Sequence, residues 1–223
     1  MTEVTDNPFL SEEITPAYSA EWEARRRVAT AIRQLTEILV SSTPTIPELH
    51  AIAARLEDNA TEFAALPRLY GRMAFAEQGC HGRIGQIGHE TNPVAGIANP
   101  VAPPLRTWIA DGVAHGRATL GWTYEGPPTS VHGGFVAALF DQFMGEAQAM
   151  GGQPGMTGTL EIRYHRRTPL NTELRLRGWV ERVEGRKTWV RAEMHAGDTL
   201  TASCNGVFIQ PHGGISGMHK HLL

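Results

Sequence analysis

Hydrophobic and polar positions change their period along the chain, and the changes divide it. From about Ser19 the pattern is helical: Val28, Ile32, Leu35 and Leu39 fall at i, i+4, i+7 and i+11, with Arg25, Arg26, Arg27 and Gln34 elsewhere. Thr45-Ile46-Pro47-Glu48 then reads as a capping box with proline in the first turn, opening a second helix whose stripe is Leu49, Ile52, Ala53, Leu56, Ala60 and Phe63. The two helices are expected to pair as a hairpin, their stripes covering the main domain or its subunit contact and the Arg25-Arg26-Arg27 run facing solvent. Residues 64 to 104 carry six glycines and five prolines with few periodic apolar positions, which predicts a long irregular connection. After it come strand-like segments, Leu105 to Val113 and Ala114 to Tyr124, then an apolar helical run. Four further strands follow: Thr157 to Arg166, Thr172 to Val183, Lys187 to Ala196 and Leu200 to Gln210. Leu174, Leu176, Gly178 and Val180 alternate with Glu173, Arg175 and Arg177, and Glu184-Gly185 and Gly197-Asp198 have hairpin-turn composition.

The helical run is the most informative stretch. It begins near His132, after the loop Gly126-Pro127-Pro128-Thr129-Ser130, and continues to about Met150 without proline. Ala137, Ala138 and Gly145 would let another backbone approach, and Asp141 is the single acid between His132 and Gly145. A carboxylate on a helix buried over most of its surface is partly desolvated and becomes a better base. Gly133 and Gly134 leave the amides of the first turn uncovered, along the positive end of the helix dipole, where a developing oxyanion is stabilised. Gly133 and Asp141 are eight residues apart, roughly 12 Å along one helix at 1.5 Å per residue. One helix therefore does not bring both onto one small group, whereas two antiparallel helices do. The spacing predicts a dimer in which Gly133 of one chain faces Asp141 of the other. A packed core helix with a hydrogen-bonded Asp141 is the competing reading.

Composition narrows the function classes. A net charge of −3 over 223 residues gives no basic excess of the kind a nucleic-acid binder shows. The longest apolar run, Phe135 to Met144, is broken by Asp141 and too short for a membrane span. The acidic start, Met1 to Asp6, lacks an apolar signal core, and only Cys80 and Cys204 are present, so a reducing cytoplasm is expected. Cys80, His81 and His89 lack the paired spacing of a zinc site, and no metal is expected. Ser130 precedes His132, but no Gly-x-Ser-x-Gly elbow accompanies it.

His132-Gly133-Gly134 with a carboxylate at Asp141 resembles the central helix of hot-dog-fold acyl-CoA thioesterases of the PaaI-like, hydroxybenzoyl-CoA thioesterase superfamily. Glu125-Gly126-Pro127-Pro128, Met156-Thr157-Gly158-Thr159-Leu160 with Tyr164, and Val183-Glu184-Gly185-Arg186-Lys187 agree with it. The resemblance runs from about Pro103 to Pro211. It implies an α+β hot-dog fold, an antiparallel sheet wrapped around a central helix, over residues 104–211. Residues 1–103 form an N-terminal helical extension with its connecting loop, and residues 212–223 a mobile tail. It implies hydrolysis of acyl-CoA to free acid and CoA, by a homodimer or dimer of dimers, with CoA as part of the substrate and no separate cofactor. Asp141 acts as general base or nucleophile. Gly133, with Gly134 as a second candidate, supplies the oxyanion donor, Thr157 holds the attacking water, and His132 shapes the helix start. Arg166, Arg186 and Lys187 align with basic positions and are expected to meet the CoA phosphates. Where some relatives carry an Asn or Gln as a second oxyanion donor, this chain has Gly126. Acyl-carrier-protein hydrolysis, another acyl-thioester reaction, and a non-catalytic acyl-CoA-binding or scaffold role remain alternatives at this point.

Overall fold

A computed structural model describes residues 14–103 and 105–212. The tail expected to be mobile and most of the N-terminal arm lie outside the described residues. Among the described residues five α-helices and six strands are formed: α1 (Ala20–Ser41), α2 (Ile46–Ala64), α3 (Gly71–Glu77), α4 (Ile84–Thr91), β1 (Arg106–Ala110), β2 (Val113–Thr119), α5 (Gly133–Ala147), β3 (Met156–Tyr164), β4 (Glu173–Glu184), β5 (Lys187–Ala196) and β6 (Thr199–Ile209). The strands make one antiparallel sheet in the order β1-β2-β4-β5-β6-β3.

α5 lies against this sheet and touches β2, β3, β4, β5 and β6. Val136, Leu139, Phe140, Phe143, Met144 and Ala147 form its buried stripe, meeting Leu174, Leu176, Val190, Ala192, Met194 and Phe208. The helix can come this close because glycine sits where its largest ring lands: a Cβ on Gly178 would be 2.7 Å from the Phe143 ring. This is the hot-dog fold, a sheet curled around one helix. α5 is not buried all round, however. Gly134 and Asp141 are exposed, with Ala137, Ala138 and Gly145 half-buried beside them.

β5 spans the expected residues and the other late strands differ by one or two at their ends. The first hairpin is a correction. Its turn is Asp111-Gly112, with φ of 50° and 73°, and not the Val113/Ala114 junction. Two positive φ values in succession are what a two-residue hairpin connection requires, and Asp-Gly supplies them cheaply. Beyond β2 the chain forms a short 3₁₀ turn, Trp122–Tyr124, instead of more strand.

The extension departs further from expectation. Residues 64–104 hold α3 and α4, two short helices secured by tertiary contacts that leave no long period in sequence. Trp22 is almost fully buried, packs on Phe75 and donates its indole N–H to the His81 carbonyl at 2.8 Å. Arg26 forms a buried pair with Glu90 of α4, its Nε donating at 2.9 and 3.1 Å, so the arginine run is not wholly solvated. α1 seats itself by Trp22, Arg26, Ala29, Arg33 and Glu37, while Val28, Ile32 and Leu39 of the predicted stripe stay exposed. α2 has its capping box but no buried residue, so neither apolar stripe covers the domain.

Candidate active site

Asp141 and Thr157 meet: the threonine hydroxyl donates to Asp141 Oδ1 at 2.9 Å. Thr157 is held there by a bulge in β3, which shifts register against β6 between Thr157 and Thr159. At the other end of β3, the Tyr164 hydroxyl donates to the Gly133 carbonyl at 3.0 Å. β3 therefore runs antiparallel to α5, with the acid at one end and the glycine turn at the other. β3 is also an edge of the sheet, and most of its residues are exposed.

The first turn of α5 separates the two candidate donors. His132 is the N-cap residue, and its Nδ1 accepts the Gly134 N–H at 3.0 Å. That nitrogen carries no proton in this arrangement, so the imidazole has its N–H at Nε2. The Phe135 and Val136 amides donate to the His132 carbonyl. Among the described residues nothing accepts from the Gly133 N–H, which is left as the donor of this turn. His132 thus acts on the helix start, and the Gly134 amide is already engaged.

Gly126 is fixed by space. A Cβ there would lie 2.6 Å from the His132 Cα, so no side-chain donor fits at the position where some relatives carry one. The loop is held by Glu125, which accepts the Thr129 N–H at 2.7 Å, and by the Gly126 N–H, which donates to Ser130 O.

The basic residues do not gather in one chain. Arg186 and Lys187 sit at the β4–β5 turn, the Thr157 end of β3, whereas the Arg166 N–H donates to Thr201 O at the far end of β6. β5 separates these ends by ten residues, about 30 Å at 3.3 Å per residue. Cys204 is buried on β6, opposite Ile162 of β3. Burial, with the Asp141 and Glu161 charges adding to it, pushes its thiol up to about 12, which removes it as a nucleophile. Of the residues weighed for zinc, Cys80 is exposed, His81 pairs with Gln78 and Glu21, and His89 is pushed down to about 4 by burial and by Arg26 and Arg106. Among the described residues, no three His, Cys, Asp or Glu side chains are grouped for a metal.

The buried carboxyl of α5 is Glu146, one turn beyond Gln142, and pattern reading passed over it. Gln142 donates to its Oε1 at 2.6 Å, and Asn92 donates to Gln142 at 2.7 Å. Burial pushes its pKa up to about 7, against hydrogen bonds from Thr107 and Gln142. Its signal was an acid four residues after a polar Gln on an otherwise apolar helix.

A hot-dog sheet with an acid and a free helix-start amide on its open edge defines a class of acyl-thioester proteins. Comparison with known proteins bears on that class. A family model described as the thioesterase superfamily matches residues 129–203. A thioesterase superfamily protein of known crystal structure is 32% identical, with a TM-score of 0.71 covering 87% of this chain and 97% of that one. The human acyl-coenzyme A thioesterase THEM5 is 30% identical over 88 residues, which is 39% of this chain and only 36% of that protein's length. A conserved protein of Pseudomonas aeruginosa is 29% identical, with a TM-score of 0.44 over 48% of this chain and 88% of that one. The chain belongs to the thioesterase superfamily. Because the first of these likenesses covers 87% of the chain, it reaches well into the N-terminal helices. Among the described residues no helix is long and apolar enough to cross a membrane.

Proposed function

We propose that the protein is an acyl-CoA thioesterase, acting as a homodimer whose two sites are each built from both chains, with residues 104–211 as the catalytic unit. The observation that carries this reading is the layout of the β3 edge: the Asp141–Thr157 pair at one end and the unoccupied Gly133 amide at the other. A nine-residue exposed edge strand is a template for pairing. Two-fold pairing of β3 with its symmetry mate reverses one strand against the other, so the Thr157 end of one chain lies against the Tyr164 end of its partner. Asp141 of one protomer then approaches the Gly133 amide of the other. The same operation brings Arg186 and Lys187, at the Asp141 end, toward Arg166, at the Gly133 end, as a phosphate-binding set. The likeness to the human acyl-coenzyme A thioesterase supports acyl-CoA as substrate.

In the reaction, Asp141 takes a proton from water as the water oxygen attacks the thioester carbon, or its carboxylate attacks directly and the mixed anhydride is then hydrolysed. The Thr157 hydroxyl donates to the carboxylate and can accept from the water. The carbonyl oxygen, as it becomes negative, is received by the Gly133 amide, a donor typically worth about 3–4 kcal/mol. The C–S bond breaks: in the first route the CoA sulfur leaves with the proton taken by Asp141, and in the second it leaves as a thiolate, which is protonated by the water whose oxygen hydrolyses the anhydride and regenerates the Asp141 carboxylate. No step calls on a metal or redox cofactor. The two free cysteines support a cytoplasmic setting.

The test has two stages, both read as free thiol released from acyl-CoA. Asp141→Asn should keep the fold and lose at least two orders of magnitude of turnover, since an amide is neither base nor nucleophile. Mixing Asp141→Asn chains with Gly133→Val chains should restore one intact site per mixed dimer. Near-normal turnover of Asp141→Asn would remove that residue from the mechanism, and mass-verified mixed dimers no more active than their parents would end the shared-site reading.

A further inference from the structure

A groove of about 800 Å³ lies between α1 and the hot-dog layer, floored by Tyr124 and Phe135 and walled by Ile32, Ile38, Val101 and Pro100. We propose that this groove receives the acyl chain, so that the N-terminal extension sets a preference for medium- and long-chain acyl groups. The proposal rests on the thioesterase reading above and adds to it the substrate class and the part of the chain that selects it.

Position is the first argument. Phe135 is the third residue of α5, two after Gly133, and packs edge-on against Tyr124 with ring centroids 4.8 Å apart. The Tyr124 carbonyl in turn accepts the His132 N–H at 2.9 Å. The two aromatic residues that floor the groove therefore also build the turn that offers the Gly133 amide. An acyl chain whose carbonyl oxygen sits at that amide has the groove beside it.

Chemistry is the second. The two charged side chains of the lining are committed to the protein. The Arg33 guanidinium donates to the carbonyls of Asn99 at 2.8 Å and Ile97 at 3.1 Å. The Glu37 carboxylate accepts the Trp122 amide at 2.7 Å, the Thr123 amide at 3.0 Å and the Thr123 hydroxyl at 2.8 Å. With those charges tied down, and with Thr30, Gln34, Thr36, Thr119 and Asn171 as its uncharged polar members, the lining presents mainly aliphatic and aromatic surface to the open space, which favours a ligand that is largely apolar. A CoA nucleotide does not meet that description and an acyl chain does. The volume falls in the range of small-ligand sites. Ile32, Ile38 and Val101 are 43%, 59% and 68% exposed, so apolar surface is there to be covered.

Each methylene buried should raise kcat/KM by roughly fourfold, from about 0.8 kcal/mol per buried CH₂, until the groove is full. The test compares dodecanoyl-CoA with acetyl-CoA for the unmodified protein and for Val101→Trp and Ile32→Trp, which place an indole in the groove from two different walls. Both original side chains are exposed, and circular dichroism checks that the fold is kept. The expected result is at least a tenfold fall in the dodecanoyl-to-acetyl ratio of kcat/KM for both variants. An unchanged ratio overturns the proposal. So does a change in sedimentation with an unchanged ratio, which would give the groove to a second copy of the chain. If no thioester is hydrolysed by the unmodified protein, the function above fails, and binding of a dansyl-labelled undecanoic acid decides the groove alone. At least tenfold weaker binding in both variants keeps it as an acyl site, and unchanged binding removes it.

Discussion

Replacing Glu146 by Gln should make the protein more stable at high pH and leave it nearly unchanged at low pH. Burial of the carboxyl raises its pKa from 4.5 to about 7 in the fold. Below about 4.5 folded and unfolded chains both hold the proton, and the side chain costs nothing. Between 4.5 and 7 only the folded chain holds it, so stability falls as pH rises, and the loss is complete above about 7. At 1.36 kcal/mol per unit, the gap between 4.5 and about 7 sets a ceiling of about 3 kcal/mol. Gln is neutral at every pH and of the same size. Its carbonyl can still accept from Gln142, and its amino group can face the Thr107 hydroxyl. Urea unfolding of both proteins at fixed protomer concentration, from pH 5 to 8.5, gives the difference, in which other titrating groups cancel. Glu146→Gln should gain about 2–3 kcal/mol over wild type at the alkaline end and little at the acid end. Parallel stability curves, offset by a constant or not at all, would refute the reasoning.

Arg26→Ala strands Glu90 in a site where its side chain is only 4% exposed, and should cost about 3–5 kcal/mol of unfolding free energy. The double change with Glu90→Leu should recover most of that, and a single-variant loss below about 1 kcal/mol would reduce the pair to a surface contact. Gly126→Asn should lower acyl-CoA turnover at least tenfold, because its Cβ cannot sit 2.6 Å from the His132 Cα without moving the helix start. An increase in kcat would show instead that a side-chain oxyanion donor can be accommodated there.

What could be read from sequence follows what each element depends on. β4 and β5 alternate because one face meets α5 and the other does not, and a period of two survives in sequence. α5 was legible as a helix, yet not in its exposure. An apolar run predicts burial without saying against what, and the Asp141 face lies along the open β3 edge of the sheet. The short α3 and α4 could not be read. Each is held by partners far along the chain, Trp22 on Phe75 and Arg26 on Glu90, and such contacts leave no local period. α1 misled in a different way. Its apolar stripe is real, but the face that docks is the one carrying Trp22, Arg26, Arg33 and Glu37, whose charges find backbone groups and a buried carboxylate. Hydrophobic periodicity has no means of ranking a polar face with specific partners above an apolar face without them. Asp111-Gly112 was legible and overlooked, since its composition is that of a two-residue hairpin turn.

The docking of α1 bears directly on the candidate site. Glu37 gathers the Trp122 and Thr123 amides, and burial is outweighed there by those hydrogen bonds, which hold its carboxyl below the usual range. The next residue, Tyr124, accepts the His132 N–H, and His132 Nδ1 in turn accepts the Gly134 N–H. A run of hydrogen bonds therefore leads from the extension to the turn that leaves the Gly133 amide free. Gly121 carries the other half of the fit, because a Cβ there would collide with the Glu37 carboxylate at 2.5 Å. The helix contributes to the first turn of α5, the oxyanion turn of the proposed function, through positions that an apolar-stripe reading assigns to solvent. An extension packed by hydrophobic surface alone could slide or rotate at little cost, whereas one fixed by a carboxylate on two amides has a single register. That register is also what holds the groove wall of α1 at a set distance from Phe135, so the same contact serves both the geometry of the turn and the width of the groove.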